Sequence, residues 1–222
     1  MKKLEVFGAV TLKGQIKISG SKNASLPILA ATLLSDKKIS LTNVPRVKDV
    51  ETMIKLLESM GSKIKKLRNG NTLVIQNNKK IKTEASYNLM STMRAGIIVL
   101  GPLLARFGEA KVSSPGGCSI GVRPIDIHLE ALKRMGVQYK IIDGYVYAKA
   151  KNGLIGAKIK FPKISVGATE NLMIAACLAK GQTILSNCAI EPEIKDLSNF
   201  LTSIGAHIKW TGKRQVKIIG VK

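Results

Sequence analysis

The sequence predicts an α/β fold: an inside-out α/β barrel domain of three βαβαββ units with apolar helices buried at its centre. A short segment with a central glycine occurs three times, each time after a helix with one apolar face and before two short strands. Upstream of each copy lies a second helix that is apolar on nearly every side and must therefore be buried all round. Repeated units that pack together can bury apolar faces that a single unit would leave exposed to water. An ordinary α/β sandwich with accidental internal similarity is the alternative.

The recurring segment marks the end of each amphipathic helix. Its glycines are separated by 75 and 69 residues along the chain, and glycine after the last apolar residue is a frequent helix end. In the first copy, Val50, Ile54, Leu57 and Met60 are spaced so that they share one helical face. These helices are expected over residues 50–60, 126–135 and 195–204, and the turns between the following strands at Asn69-Gly70, Asp143-Gly144 and Thr211-Gly212.

The apolar helices and a short strand after each of them complete the units. The helices are expected over residues 26–34, 95–105 and 171–179, and the strands over residues 39–42, 110–113 and 183–186. A further strand over residues 15–19 is expected to open the first unit. On this pattern the units occupy about residues 14–80, 86–150 and 155–220.

The formal net charge of +22 raises nucleic-acid or membrane binding as a function. The lysines are spread over most polar segments, however, only 4% of residues are aromatic, and no DNA-binding module is recognisable. Nucleic acid is therefore not expected as a partner. The sequence contains no apolar run of bilayer length and no signal-peptide pattern, so we expect a cytoplasmic protein without membrane insertion.

The cysteines do not follow a disulfide or zinc pattern, because they are odd in number and include no Cys-x-x-Cys pair. Cys177 falls in a buried apolar helix and Cys188 follows a strand, so both are expected to be structural. Cys118 lies in residues 114–124, a segment with three glycines, two prolines and Arg123. Such a segment is too polar for the core and is typical of a functional loop, where Arg123 would favour a thiolate.

Other polar segments stand at the starts of the apolar helices. Gly20-Ser21-Lys22-Asn23 precedes the first one, where backbone N–H groups, the helix dipole and a lysine together favour an anion; a plain capped helix start is the alternative. Residues 163–167 occupy the same place in the third unit. Arg94 stands at the head of the second apolar helix and needs an anionic partner, either a protein carboxylate or a substrate.

A set of motifs that occur together and in one order carries a resemblance to a known family. They are residues 20–24 (GSKNA), 92–95 (TMRA), 100–108 (LGPLLARFG), 115–118 (PGGC), 123–128 (RPIDIH), 165–171 (SVGATEN) and 191–194 (EPEI). Together they resemble the enolpyruvyl transferase family, and within it the enzymes that act on UDP-N-acetylglucosamine, over essentially all 222 residues. The first alternative is a shikimate-type transferase, although enzymes of that type lack the PGGC loop. The second alternative is a non-catalytic binding module.

The resemblance implies transfer of the enolpyruvyl group of phosphoenolpyruvate to UDP-N-acetylglucosamine with release of phosphate, the first committed step of peptidoglycan synthesis. It implies a two-domain enzyme with its active site between the domains, and no metal or organic cofactor. In this family the first strand belongs to the other domain, so residues 1–19 are expected to lack a partner here, and residues 20–222 to form one domain. The chain would be about half of such an enzyme. On its own it is expected to bind the nucleotide sugar weakly and not to turn over, and a separate C-terminal half is a candidate partner.

The resemblance also implies roles for single residues. Cys118 would be the general acid towards C3 of the enolpyruvyl group and the thiol that fosfomycin alkylates. Phosphoenolpyruvate would be bound by Lys22, Arg94, Arg123 and Cys118. UDP-N-acetylglucosamine would be bound by Asn23, Arg94, Arg123, Pro124, Asp126, Ile127, His128, Lys163, Ser165, Val166 and Gly167.

Two positions depart from the family pattern. Ile98 stands where a tryptophan is often found in the second apolar helix, which changes the volume available to the core. Ile190 stands where an arginine usually precedes the Glu-Pro-Glu motif, and this change is expected to weaken an interdomain or loop contact.

Overall fold

The computed structural model describes residues 3–8, 11–113 and 125–221, with Arg94 described by its backbone alone. Within these residues the strands form three sheets, one of three strands and two of four. Each sheet is built from consecutive strands and is covered by helices from the same stretch of chain. No helix in the described ranges combines the length and apolar character needed to cross a membrane.

The first stretch of chain forms the three-stranded sheet. Its elements are α1 (Lys22–Ala31), a 3-10 helix (Thr32–Leu34), β1 (Ile39–Leu41), α2 (Lys48–Met60), β2 (Lys63–Leu67) and β3 (Thr72–Gln76). The strand order is β1-β3-β2, with antiparallel pairing throughout. Helix α2 carries Asp49 and Glu51 in its first turn, where acidic side chains complement the helix dipole. It ends at Gly61, whose φ of 109° is a conformation that glycine adopts without strain.

The second stretch forms a four-stranded sheet of order β4-β5-β7-β6. Its elements are β4 (Glu84–Ala85), α3 (Tyr87–Met90), a 3-10 helix (Arg94–Val99), α4 (Leu100–Phe107), β5 (Glu109–Ser113), α5 (Asp126–Arg134), β6 (Gln138–Ile142) and β7 (Tyr145–Lys149). Strands β4 and β5 are parallel, and the other neighbours are antiparallel. The β6–β7 hairpin turns at Asp143 and Gly144, with φ of 49° and 73°, as the Asp-Gly pair predicts.

The third stretch repeats this arrangement with the order β10-β11-β9-β8. Its elements are β8 (Lys158–Lys160), α6 (Val166–Ala176), β9 (Gln182–Ser186), α7 (Pro192–Ser203), β10 (His207–Gly212) and β11 (Gln215–Ile219). Strands β8 and β9 are parallel, as β4 and β5 are. The predicted βαβαββ order is therefore confirmed in the second and third stretches.

The apolar helices meet at the centre, as predicted. Helix α6 contacts α1, α4, α5 and α7, and all but its first two residues are buried. Helix α1 contacts the 3-10 helix Arg94–Val99 as well as α6. Ile98 is buried in this centre, where side-chain volume affects packing, whereas Ile190 is 39% exposed. The amphipathic helices α2, α5 and α7 bury one face each and expose the other.

Two of the expected elements are absent or displaced. Residues 15–19 form no strand, and the apolar side chains Leu4, Val6, Phe7, Leu12, Ile16 and Ile18 are 78–93% exposed. The first sheet consequently has one strand fewer than the others. The turn expected at Thr211-Gly212 lies at Lys213 and Arg214 instead, because Gly212 still pairs with Gln215 in the β10–β11 ladder.

Candidate functional site

The predicted site residues stand at the starts of helices. Lys22 begins α1, Arg94 begins the 3-10 helix that leads into α4, Asp126 begins α5, and Val166 begins α6. Because the 3-10 helix contacts both α1 and α6, and α5 contacts α6, the helices that carry these residues belong to one packed group. Backbone N–H groups at helix starts have no partner within the helix and favour negatively charged ligands.

The start of α1 is held in place by a glycine and a serine cap. A Cβ atom on Gly20 would fall 1.8 Å from the carbonyl oxygen of Asn43, so only glycine fits there. The Ala24 N–H donates to Ser21 Oγ at 3.4 Å. Pro27 has no N–H, so the carbonyl of Asn23 lacks its usual donor within the helix. The side chain of Asn23, in the first turn of α1, is exposed.

Lys22 is not free in this structure. Its Nζ lies 2.9 Å from Asp49 Oδ2 at the start of α2, and the two side chains are 48% and 36% exposed. An ion pair this exposed contributes little to stability. An anionic ligand could therefore replace Asp49 as the partner of Lys22 at small cost.

The start of α5 contains a buried histidine. Ile127 and His128 are both 7% exposed, whereas Asp126 is exposed. Burial lowers the pKa of His128 to about 4, and the nearby carboxylate of Asp126 opposes this only in part. His128 is therefore neutral at physiological pH. Its ring faces α6, since a Cβ atom on Gly167 would lie 3.4 Å from His128 Cε1 and 3.6 Å from Nε2.

The start of α6 provides capped backbone donors. The Ala168 N–H donates to Ser165 Oγ at 3.3 Å, and Thr169 Oγ1 donates to the Ser165 carbonyl at 2.8 Å. The first turn of this helix contains no acidic residue. Lys163 is exposed just before it, and Val166 and Gly167 are partly buried. The structure thus brings Gly167 next to His128, two residues that are far apart in the sequence.

Two polar residues of α6 were missed by sequence reasoning. Asn171 is fully buried, and its Nδ2 donates to the carbonyl of Ile97 at 3.1 Å and lies 3.0 Å from His128 Nδ1. Glu170 is 4% exposed, and burial, followed by repulsion from Glu193 and Glu191, raises its pKa to about 8. The available signal was a pair of adjacent polar residues at the start of an otherwise apolar helix.

Several predicted residues cannot be placed by the structure. Cys118, Arg123 and Pro124 lie in residues 114–124, outside the described ranges, and the side chain of Arg94 is also outside them. The other cysteines agree with a structural role. Cys177 and Cys188 are buried, and burial raises the pKa of each thiol to about 12. An open depression of about 580 Å³ lies at the far end of α5, between Lys133 and Tyr139, away from the predicted residues.

The chain is similar to known proteins over nearly its whole length. Residues 6–222 match the family model of EPSP synthase (3-phosphoshikimate 1-carboxyvinyltransferase). A UDP-N-acetylglucosamine 1-carboxyvinyltransferase of Pelagibacter ubique is 73% identical over 221 residues, which is 100% of this chain and 52% of the relative. One from a Sulfurovum species is 51% identical over 220 residues, 99% of this chain and 52% of the relative. The chain spans about half the length of the curated relatives it matches.

Solved structures show the same fold at low sequence identity. The enolpyruvyl transferase NikO of Streptomyces tendae superposes with a TM-score of 0.82 at 20% identity, over 95% of this chain and 49% of that one. The EPSP synthase of Acinetobacter baumannii gives a TM-score of 0.72 at 19% identity, over 94% of this chain and 47% of that one. These likenesses concern the fold alone.

Proposed function

This chain belongs to the EPSP synthase family, and from that membership we propose that it is the N-terminal half of an enzyme that transfers the enolpyruvyl group of phosphoenolpyruvate to UDP-N-acetylglucosamine. The observation that carries the proposal is the 73% identity, over the full chain, to a UDP-N-acetylglucosamine 1-carboxyvinyltransferase. A second UDP-N-acetylglucosamine 1-carboxyvinyltransferase, 51% identical over 99% of this chain, also favours the sugar nucleotide over shikimate 3-phosphate as acceptor. The reaction would supply peptidoglycan synthesis in the cytoplasm.

The proposed chemistry depends on fixed positive charge. The sugar hydroxyl adds to C2 of phosphoenolpyruvate while C3 takes up a proton; loss of a proton from C3 and of phosphate from C2 then completes the transfer. Cys118 is the proposed acid towards C3, and Lys22, Arg94 and Arg123 offset the phosphate and carboxylate of phosphoenolpyruvate. Fixed cations at a site that excludes water stabilise such charges strongly. The weak Lys22–Asp49 pair at 2.9 Å supports this assignment, because the ammonium group can change partners.

The proposed sugar-nucleotide site is the junction of α5 and α6. It is supported by the approach of Gly167 to the His128 ring and by the capped start of α6, which offers backbone donors without nearby acidic residues in its first turn. The residues assigned to this site are Asn23, Arg94, Arg123, Pro124, Asp126, Ile127, His128, Lys163, Ser165, Val166 and Gly167. No metal or organic cofactor has a part in this reaction.

We also propose that residues 1–19 are a strand of a second domain whose remaining part is not in this chain. Six apolar side chains that are 78–93% exposed, with no strand partner in the described ranges, support this arrangement. An exposed apolar segment of this kind marks a surface that another chain segment covers. Residues 20–222 would then form one complete three-unit domain, with the active site on the face turned towards the missing half.

The first test is intact mass after treatment with fosfomycin, with and without UDP-N-acetylglucosamine. We expect one adduct, formed faster when the sugar nucleotide is present. Cys118→Ser is expected to abolish it, and Cys177→Ser, which removes a buried thiol instead, is the matched control that retains it. An adduct that persists in Cys118→Ser, or a rate that UDP-N-acetylglucosamine does not change, would contradict the proposed site.

A further inference from the structure

Asn171 lies at a position where its amide has one possible orientation. Its Nδ2 is 3.1 Å from the carbonyl oxygen of Ile97. A backbone carbonyl can only accept a hydrogen bond, so the atom facing it must be the NH2 group and not the amide oxygen. The oxygen then points to Gly101, where a Cβ atom would lie 2.3 Å from it, so that only glycine leaves it room.

This orientation fixes the proton on the ring of His128. The second N–H of the same NH2 group faces His128 Nδ1 at 3.0 Å. Nδ1 must therefore accept, which means that it carries no proton and that the neutral ring carries its proton on Nε2. Among the described residues Nε2–H has no hydrogen-bond partner, and it faces the first turn of α6 beside Gly167.

We propose that Asn171 is a positioning residue, which holds His128 as a neutral Nε2–H donor aimed at an oxygen of the sugar nucleotide. The identity of the ligand rests on the proposed function, whereas the state of the ring does not. Asn171 itself is fully buried and acts only through the histidine. A residue that orients a ligand-binding group by a hydrogen bond to its far side commonly affects binding without touching the ligand.

The surroundings of the ring agree with a neutral donor. Burial lowers the pKa of His128 to about 4, and the carboxylate of Asp126 on the same helix opposes this shift only in part. A neutral donor binds a ligand oxygen with the same strength throughout the neutral pH range. It also adds no charge to a site that already contains the proposed cations.

The state of the ring can be measured directly by NMR in the free 222-residue protein labelled with 15N-histidine. The chain contains only His128 and His207, so His207→Gln assigns the signals without ambiguity. We expect His128 to show a protonated Nε2 and an unprotonated Nδ1 at pH 7. A protonated Nδ1, or rapid averaging of the two forms, would overturn the proposal.

Asn171→Ala tests whether Asn171 is the cause. We expect the two ring nitrogens of His128 to move towards averaged shifts, and UDP, used as the probe, to bind about fivefold to tenfold more weakly through loss of one oriented hydrogen bond. Asn77→Ala is the matched control, since Asn77 is also a buried asparagine whose Nδ2 donates to two carbonyls, those of Thr32 and Ser35. It should lower stability but leave the His128 signals unchanged.

A double-mutant cycle with His128→Gln separates positioning from simple structural damage. Glutamine carries a donor that does not depend on a ring tautomer, so removing Asn171 in that background should not weaken UDP binding further. An equal loss in both backgrounds would mean that Asn171 acts by another route. If UDP shifts no signal in the wild-type chain, the proposed function fails for this half, while the ring measurement still decides the role of Asn171.

Discussion

Glu170 is the one carboxylic acid that is buried among the described residues. It has no hydrogen-bond or ion-pair partner there, and burial together with Glu193 and Glu191 raises its pKa to about 8 from an ordinary value of 4.5. The folded protein therefore holds a proton that the unfolded chain releases between these two values. Because the native state binds more protons in that window, the free energy of unfolding falls as pH rises from 4.5 to about 8.

Glu170→Gln should remove this fall in the free energy of unfolding at higher pH. The variant is expected to equal the wild type near pH 4.5 and to be more stable at pH 8 and above, by an amount on the order of 4 kcal/mol. Urea unfolding at pH 5, 7 and 8.5 measures the difference. Glu58→Gln, on the exposed face of α2, is the control and should change stability little at any pH. A Glu170→Gln variant that is less stable than the wild type at pH 8.5 would show that the carboxylate has a partner.

Gly101 and Gly96 allow a matched test of packing beside Asn171. A Cβ atom on Gly101 would lie 2.3 Å from Asn171 Oδ1 and 2.5 Å from its backbone oxygen, whereas one on Gly96 would lie 2.3 Å from Sδ of Met90, which is flexible. We expect Gly101→Ala to cost about 3 kcal/mol or more and Gly96→Ala to cost clearly less, because backbone cannot move aside as a methionine can. Chemical denaturation compares them; similar losses would contradict this reasoning.

At the scale of single residues, the sequence predicted which residues stand at helix starts but not which other residues they contact. Lys22, Ser165 and His128 could be assigned to helix starts because glycines, caps and apolar spacing are local signals. The interaction of Asn171 with Ile97 and His128 joins three segments, and no pattern within one helix contains that information. A single polar pair also changes the overall apolar character of the helix very little, which is why Glu170 and Asn171 were given no role of their own.

At the scale of elements, helices and hairpins followed from the sequence because their signals are local. Helix α2 ends at the predicted Gly61, and the β6–β7 hairpin turns at the predicted Asp143-Gly144 pair. The β10–β11 turn was displaced by two residues, since the register of the ladder, not the glycine, decides which residues turn. The strand expected over residues 15–19 does not form, for another reason. A strand needs a neighbouring strand to pair with, and the described part of the chain offers none.

The N-terminal segment, residues 1–19, should contribute little to the stability of the rest of the chain. Deleting residues 1–19 should change the free energy of unfolding by no more than about 0.5 kcal/mol, because the described side chains among them, those of residues 3–8 and 11–19, are exposed in this structure. It should also reduce self-association, since an exposed apolar segment can pair with another copy. Urea unfolding and light scattering measure the two effects. A loss of stability of about 2 kcal/mol or more would mean that the segment packs against residues 20–222.

At the scale of the whole molecule, positive charge dominates. The chain has 36 basic and 14 acidic residues, so most lysines and arginines have no carboxylate to pair with, and every ion pair in the described ranges has at least one well-exposed partner. Such pairs do not hold the fold together; the buried helices do. The excess charge instead raises the local concentration of anions, and both proposed substrates are phosphate-bearing anions.

The chain alone should nevertheless be inactive, because half of a cleft cannot exclude water or hold both substrates against each other. We expect no measurable phosphate release from phosphoenolpyruvate and UDP-N-acetylglucosamine by the 222-residue chain. Adding the separately produced remainder of the Pelagibacter ubique relative, which this chain matches over 52% of its length, should restore release, and the Cys118→Ser chain should not respond. Without a linker the restored rate should saturate with the concentration of the added half, as an intermolecular association requires. Phosphate release by the chain on its own would place a complete active site within these residues and refute the two-domain proposal.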